Sequence, residues 1–175
     1  MCLLLTLLEK GEVGAAAHCN FHLRGDESDR DEEFVRQLCL QRGVKLFVKH
    51  FDTQAEAEKA GESIEMAARR LRYEWFNAMI RDLGFDAVAV GHHQEDNAET
   101  LLLNLLRGCG LEGVKGMVVD NGTVMRPLLR LHRCDIEDYL RRIGQDWIVD
   151  STNLEDEPDR NFLRLRVIPL LGERF

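Results

Sequence analysis

Three short runs of apolar and β-branched residues, GAAAHCNF (14–21), VKLFVKHF (44–51) and DAVAVG (86–91), are each followed by a stretch whose apolar residues recur at helical spacing. This alternation constrains the fold more than any other feature. Successive strands separated by helices pair in parallel through crossovers, and a parallel sheet must be covered on both faces. The chain therefore reads as α/β, with a mainly parallel sheet flanked by helices in a Rossmann-like arrangement.

The helical stretches can be placed by their ends. MCLLLTLLEKGE opens on an apolar run without a capping residue, as if already under way. FVRQLCLQRG ends on Gly43 after the polar connection HLRGDESDRDEE. In SIEMAARRLRYEWFNAMIRDLG, Ser63 is the expected N-cap and Gly84 the terminator, with Ile64, Ala68, Leu71, Trp75 and Met79 as the buried stripe. EDNAETLLLNLLRG and HRCDIEDYLRRIG supply further helices. Between them lie the glycine-rich GCGLEGVKGM and GTVMRPLL, an edge strand because Pro127 lacks an amide donor.

Composition narrows the function classes. The length and the 45% hydrophobic content suit one domain with a real core. A net charge of -8 opposes general nucleic-acid binding, which relies on neutralising phosphates. The cysteines (Cys2, Cys19, Cys39, Cys109, Cys134) are scattered without a Cys-x-x-Cys pair and read as reduced, mostly buried thiols. No apolar run is long enough for a membrane span, so no membrane partner and a cytoplasmic location are expected.

Ligands of open parallel sheets bind beyond the carboxyl ends of the strands. GHHQED occupies that position after DAVAVG, and in a helix starting near Glu95 the acids Asp96 and Glu99 share a face while Ala98, Leu101, Leu102 and Leu105 point away. Such a pair either holds Mg²⁺ or a substrate ammonium, or merely complements the helix dipole. Glu95 reads as a water-exposed helix-start residue, and adjacent His92 and His93 in a strand would point to opposite faces. Arg69 and Arg72 either grip phosphate oxygens or pair with Glu65 and Glu74. Asp150 to Asn153 read as a polar turn, and Arg160 and Arg164 sit one helical turn apart after an acidic loop.

The order of these blocks carries a resemblance. HCNFHLRGDESDRDEEFV, ARRLRYEWF, GHHQEDNAETLLLNLLRG, RPLL and VDSTNLEDEPDRNFLRLRVIPLL together resemble the N-terminal catalytic domain of the bacterial tRNA(Ile)-lysidine synthetases, in the PP-loop ATP pyrophosphatase family. The resemblance implies adenylation of the C2 oxygen of the wobble cytidine in an isoleucine tRNA with a CAU anticodon, followed by displacement of AMP by an amine of L-lysine. It implies ATP and Mg²⁺ as cofactors; a homodimer is a candidate assembly. By motif position, Asp96 and Glu99 would bind the amines of lysine or assist metal binding, with Asp96 the candidate metal ligand. Arg72 would lie near the ATP phosphates and the reacting base, and Arg164 would orient substrates with Arg160 and Asn161. The backbone at His18 and Cys19, with Gly91, would meet the nucleotide.

In this family a serine-glycine-glycine-x-aspartate-serine run follows the first strand and binds pyrophosphate through backbone amides. That run is not in this sequence. The expectation is a single catalytic domain over residues 1–175 without its first strand, phosphate loop or C-terminal tRNA-binding domains, and without useful ATP hydrolysis by this chain alone. Two other readings compete: a tRNA-thiolating PP-loop enzyme, disfavoured by the missing Cys-x-x-Cys pair, and a nucleotide-binding fragment without catalysis.

Overall fold

The computed structural model describes residues 1–110, 113–148 and 159–174. Its contacts cluster into two compact units, Leu4–Val88 and, with Met1–Leu3, Ala89–Phe175. After helix α1 (Cys2–Glu9), the first unit contains β1 (Ala16–Asn20), α2 (Asp26–Gln41), β2 (Leu46–His50), α3 (Thr53–Ala60) and α4 (Ile64–Leu83). β1 and β2 pair in parallel, from Ala16 opposite Leu46 to Asn20 opposite His50, as the strand–helix–strand alternation requires.

Helix α2 begins at Asp26, well before the expected start near Phe34. Asp26, Glu27 and Asp29 fill its first turn, where carboxylates complement the positive end of the helix. The face it turns inward there is polar. Ser28 and Glu32 are buried, and buried Asn20 donates from Nδ2 to Asp29 Oδ1 at 3.1 Å and Glu32 Oε2 at 2.9 Å. With no apolar stripe, this half of the helix reads as a polar connection. Helix α3 was also unanticipated; Asp52 caps it by accepting from the Ala55 amide, and Gly61 closes it in the left-handed region at φ 65°.

Helix α4 starts and stops where its residues require, with Ser63 Oγ accepting from the Met66 amide at 3.2 Å and Gly84 at φ 70°. Its stripe is shifted from the expected one. Ala67, Ala68, Leu71 and Phe76 are buried, Trp75 and Met79 are half-buried, and Ile64 is exposed. Phe76 and Trp75 share the inner side through tilted rings, and Trp75 meets Phe51 edge-on.

β3 (Val88–Ala89), where the chain passes from the first unit to the second, is much shorter than the run DAVAVG, and β4 (Val124–Met125) is equally brief. The Val90 amide donates to the Met125 carbonyl at 2.9 Å. Pro127, two residues past β4, cannot extend the pairing. Then come α5 (Gln94–Leu106), a 3-10 turn (Gly113–Lys115), α6 (Arg133–Arg142), α7 (Asp159–Phe162), a π-helical turn (Leu163–Val167) and α8 (Ile168–Arg174). Val124, Leu128, Leu129, Leu140 and Leu163 form the core here. Leu105, expected to point inward, is exposed. The polar turn expected at Asp150 to Asn153 lies outside the described residues.

Candidate functional site

The second unit gathers most of the residues singled out by spacing. His93 precedes α5 in extended backbone, and its amide donates to Asp96 Oδ2 at 3.0 Å, so Asp96 is anchored in the first helical turn. One turn on, Glu99 is 0% exposed, the only buried residue of α5. An isolated carboxylate could not remain ionised there without compensation. Arg160 Nε donates to Glu99 Oε2 at 2.6 Å, while Arg164 donates from Nε to Oε1 at 2.6 Å and from Nη2 to Oε2 at 2.9 Å.

The arginines reach Glu99 because they lie four residues apart on one helical run, so they share a face. Leu163, 3% exposed, fixes that run on the core beside them. The π-helical turn spans Arg164, a distortion that often re-aims side chains at functional sites. Asp96 Oδ1 lies 3.7 Å from Arg160 Nη2 and 3.6 Å from Arg164 Nη2. Arg160 Nη2 also donates to the Asp96 carbonyl at 3.1 Å. Hydrogen bonding to Glu99, opposed by burial, pushes the Arg164 guanidinium to still higher basicity. Asn161, between the arginines in sequence, is buried. Asp96, Glu99, Arg160 and Arg164 thus form an electrically balanced group, two carboxylates against two guanidiniums.

The acids share a face as their spacing implies, but their environments differ. Both oxygens of Glu99 are taken by guanidinium donors. Asp96 keeps one oxygen at longer range from the arginines and is the carboxylate better placed to accept an incoming ammonium. Gly91 is exposed just after β3. Glu95, expected in water, instead accepts from the Arg133 amide at 3.1 Å and contacts the rings of His93 and His132. Arg126 of RPLL is 7% exposed; its Nη1 donates to the Val118 carbonyl at 2.9 Å, and its Nε has no hydrogen-bond partner among the described residues. Sequence spacing missed both roles, although the acid run after two histidines was a signal for Glu95.

In the first unit, Cys19 on β1 is half-buried, and burial, against the opposing charge and hydrogen bond of Arg72, pushes its thiol up to about 11. Arg72 lays its guanidinium 5.2 Å from the centre of the Phe21 ring. Of the acids considered for Arg69 and Arg72, Glu74 pairs instead with Arg70 at 3.4 Å, and Arg70 also meets Glu62 at 2.7 Å; Arg69 lies over Tyr73. His18, on the same strand, is held below its ordinary basicity by burial, opposed by Glu32 and Asp31. Beyond the strand ends, a cavity of about 390 Å³ is lined by Phe21, His22, His50, Phe51, Asp52 and Gln54. Arg72, Cys19 and His18 thus sit in one unit, and the acid–arginine group in the other.

Among the described residues, no three His, Cys, Asp or Glu side chains are arranged to hold a metal ion, and the cysteines are all free thiols. Within the acid–arginine group, Asp96 is the carboxylate with an oxygen not hydrogen-bonded to a guanidinium and so the one there that can meet a metal. Mg²⁺ commonly takes one or two protein carboxylates and completes its shell with water and phosphate, so the donor set fits a substrate-bridged ion and not a protein cage. No helix among these residues is long and apolar enough to cross a membrane.

Comparison with known proteins places these groups in context. The family described as PP-loop domain matches residues 1–171. The tRNA(Ile)-lysidine synthase of Bacteroides thetaiotaomicron is 51% identical over 173 residues, covering 99% of this chain and 41% of the relative. That of Chlorobaculum tepidum is 48% identical over 159 residues, 91% of this chain and 48% of the relative. That of Clostridium perfringens is 39% identical over 180 residues, 100% of this chain and 38% of the relative. The chain therefore spans less than half the length of these relatives. Among solved structures, the U34-tRNA thiolase NcsA from Methanococcus maripaludis with its [4Fe-4S] cluster superposes with a TM-score of 0.65 at 16% identity, covering 99% of this chain and 69% of that one. At that identity the likeness speaks for the fold.

Proposed function

The chain belongs to the PP-loop domain family, and from that premise we propose that it is part of an ATP-dependent ligase joining L-lysine to C2 of the wobble cytidine of an isoleucine tRNA. The observation that carries the reading is the balanced group of Asp96, Glu99, Arg160 and Arg164 at the start of α5. The main chain of an amino acid is a zwitterion. A site with equal positive and negative charge can bind its ammonium on a carboxylate and its carboxylate on guanidiniums without leaving net charge in a partly buried place.

The roles divide by exposure and hydrogen bonding. Asp96, anchored by the His93 amide, receives an ammonium of lysine. Glu99 holds Arg160 and Arg164 in place, and these orient the carboxylate of the substrate. Arg72, whose guanidinium lies over Phe21, would meet phosphate oxygens and the reacting base, and the half-buried strand β1 at His18 and Cys19 would meet the nucleotide.

In the reaction, the C2 oxygen of cytidine attacks the α-phosphorus of ATP and pyrophosphate leaves. The other amine of lysine then forms a bond to C2, the C2–O bond breaks, AMP departs and the amine loses its proton. Mg²⁺, when bound, would neutralise phosphate charge, with Asp96 as its protein ligand. Holding the partners together supplies much of the acceleration, because orientation replaces a three-body encounter.

The test is lysine-dependent AMP release on isoleucine tRNA with a CAU anticodon, in the natural polypeptide that carries this sequence. Asp96→Asn and Arg72→Ala should each lower kcat/KM by about a hundredfold or more. Near-normal turnover in Asp96→Asn would overturn its assignment, and AMP release independent of lysine would overturn the reaction.

A further inference from the structure

Glu95 stands outside the balanced group, yet three hydrogen-bond donors converge on its carboxylate, against one on that of Asp96. Its carboxylate, an acceptor only, meets His93 Nδ1 at 2.9 Å, His132 Nδ1 at 3.1 Å and the Arg133 amide at 3.1 Å. Nearby, the Gln94 amide donates to the Leu131 carbonyl at 3.0 Å. These contacts bring the starts of α5 and α6 together. Each helix start carries a partial positive charge of about half a unit, so their approach is repulsive unless an anion lies between them. Glu95 is that anion.

The contact with His93 has a second consequence. With Nδ1 donating to Glu95, the ring turns its other edge toward Asp96, placing Nε2 3.4 Å from Oδ2. The same Oδ2 accepts from the His93 amide, while Oδ1 faces Arg160 and Arg164. Asp96 is thereby bracketed, with the histidine on one side and guanidiniums on the other. Because Oδ2 is held by the His93 amide and lies beside the ring, Oδ1 is the oxygen left to meet a ligand.

We propose that Glu95 is a positioning residue, which acts through His93 to hold Asp96 with Oδ1 turned toward the arginines and the substrate ammonium. The proposal rests on the reading of Asp96 as the acceptor for lysine. Glu95 itself touches neither substrate nor reacting atoms. Its contribution is to keep a flexible carboxylate in one orientation, so that binding lysine costs less ordering. Loss of Glu95 should therefore raise KM for lysine several times more than KM for ATP, which general loosening of the unit would not do.

The experiment is a double-mutant cycle of Glu95→Gln and His93→Gln in the natural polypeptide, read as KM for lysine, KM for ATP and Tm. Each single variant should raise KM for lysine about tenfold, roughly the worth of one hydrogen bond to a charged group, with KM for ATP within about twofold. The double variant should be no worse than either single, because the residues act in series. His132→Asn, which removes the imidazole contact on Glu95 and leaves the bonds from His93 and the Arg133 amide, should lower Tm without raising KM for lysine. Additive effects, equal changes in both KM values, or a KM rise for lysine in His132→Asn as large as in Glu95→Gln would overturn the proposal. If Glu95→Gln fails to fold, His93→Gln with unchanged KM for lysine would overturn it by itself. Absence of lysine-dependent AMP release from the unsubstituted enzyme would instead overturn the functional reading, and the positioning role with it.

Discussion

Glu99 shows how one buried charge can organise a site. Its spacing from Asp96 was legible because both residues follow from helical geometry, and the arginine pair was legible as one turn of another helix. What spacing could not show was that the clusters bind each other: Arg160 and Glu99 are 61 positions apart in the chain, and no local rule links them. The same limit hid Glu95, whose partners His132 and Arg133 lie on another helix. Removing the Glu99 charge leaves two guanidiniums facing each other. Glu99→Gln should therefore destabilise the protein by about 2 kcal/mol, less than for a fully enclosed ion pair because water can reach Arg160 and Arg164. Glu137, paired with Arg133 and Arg141 near the surface, is the comparison, and Glu137→Gln should cost no more than about 0.5 kcal/mol. Urea unfolding of the two variants checks the difference, and equal losses would mean that burial of Glu99 is energetically unimportant.

Elements were legible where an apolar stripe and a cap agreed, and hidden where the inner face is polar. Helix α4 has both signals, and its ends match expectation to the residue. In α2, the buried positions of the first turns are Ser28 and Glu32, so a reader of hydrophobic period sees a loop. Helix α3 buries Thr53 and Ala57 and is short enough that its cap and its closing glycine were stronger signals than its period. The strands β3 and β4 were overestimated because apolar runs mark burial as readily as pairing. Caps should therefore matter measurably in α4. Ser63→Ala removes the acceptor for the Met66 amide and should lower stability by about 1 kcal/mol, with Ser63→Asp restoring most of it. An unchanged unfolding midpoint in Ser63→Ala would show that water replaces the hydroxyl without loss.

At the scale of the whole molecule, an α/β chain with parallel pairing followed directly from the alternation of strand and helix patterns, and the net charge of -8 sets how it responds to acid. Mutual repulsion among the carboxylates weakens as they titrate, which alone would make mild acid stabilising. Specific groups act in the other direction. Burial, opposed by Glu32 and Asp31, holds the His18 ring below its ordinary basicity of 6.5 in the folded state. The unfolded chain therefore binds that proton first. Stability linked to His18 is complete above pH 6.5 and is lost as pH falls toward the lower folded value. Glu32 and Glu95 act lower down. Burial would raise both, but hydrogen bonds from Asn20 and Arg36 to Glu32, and from the backbone and His132 to Glu95, outweigh it and hold both carboxyls below the usual 4.5. Their stabilisation is present above pH 4.5 and disappears as pH falls through the depressed folded values. Acid unfolding should thus proceed in two waves, the first below pH 6.5 and confined to the unit holding His18, the second below pH 4.5 in both units. Amide hydrogen exchange against pH resolves the units separately. His18→Gln should flatten the first wave and leave the second, whereas Glu95→Gln should flatten the second only in the unit that contains α5. A single acid transition, identical in both units and unmoved by either substitution, would show that overall charge and not these three groups governs the acid limit of the fold.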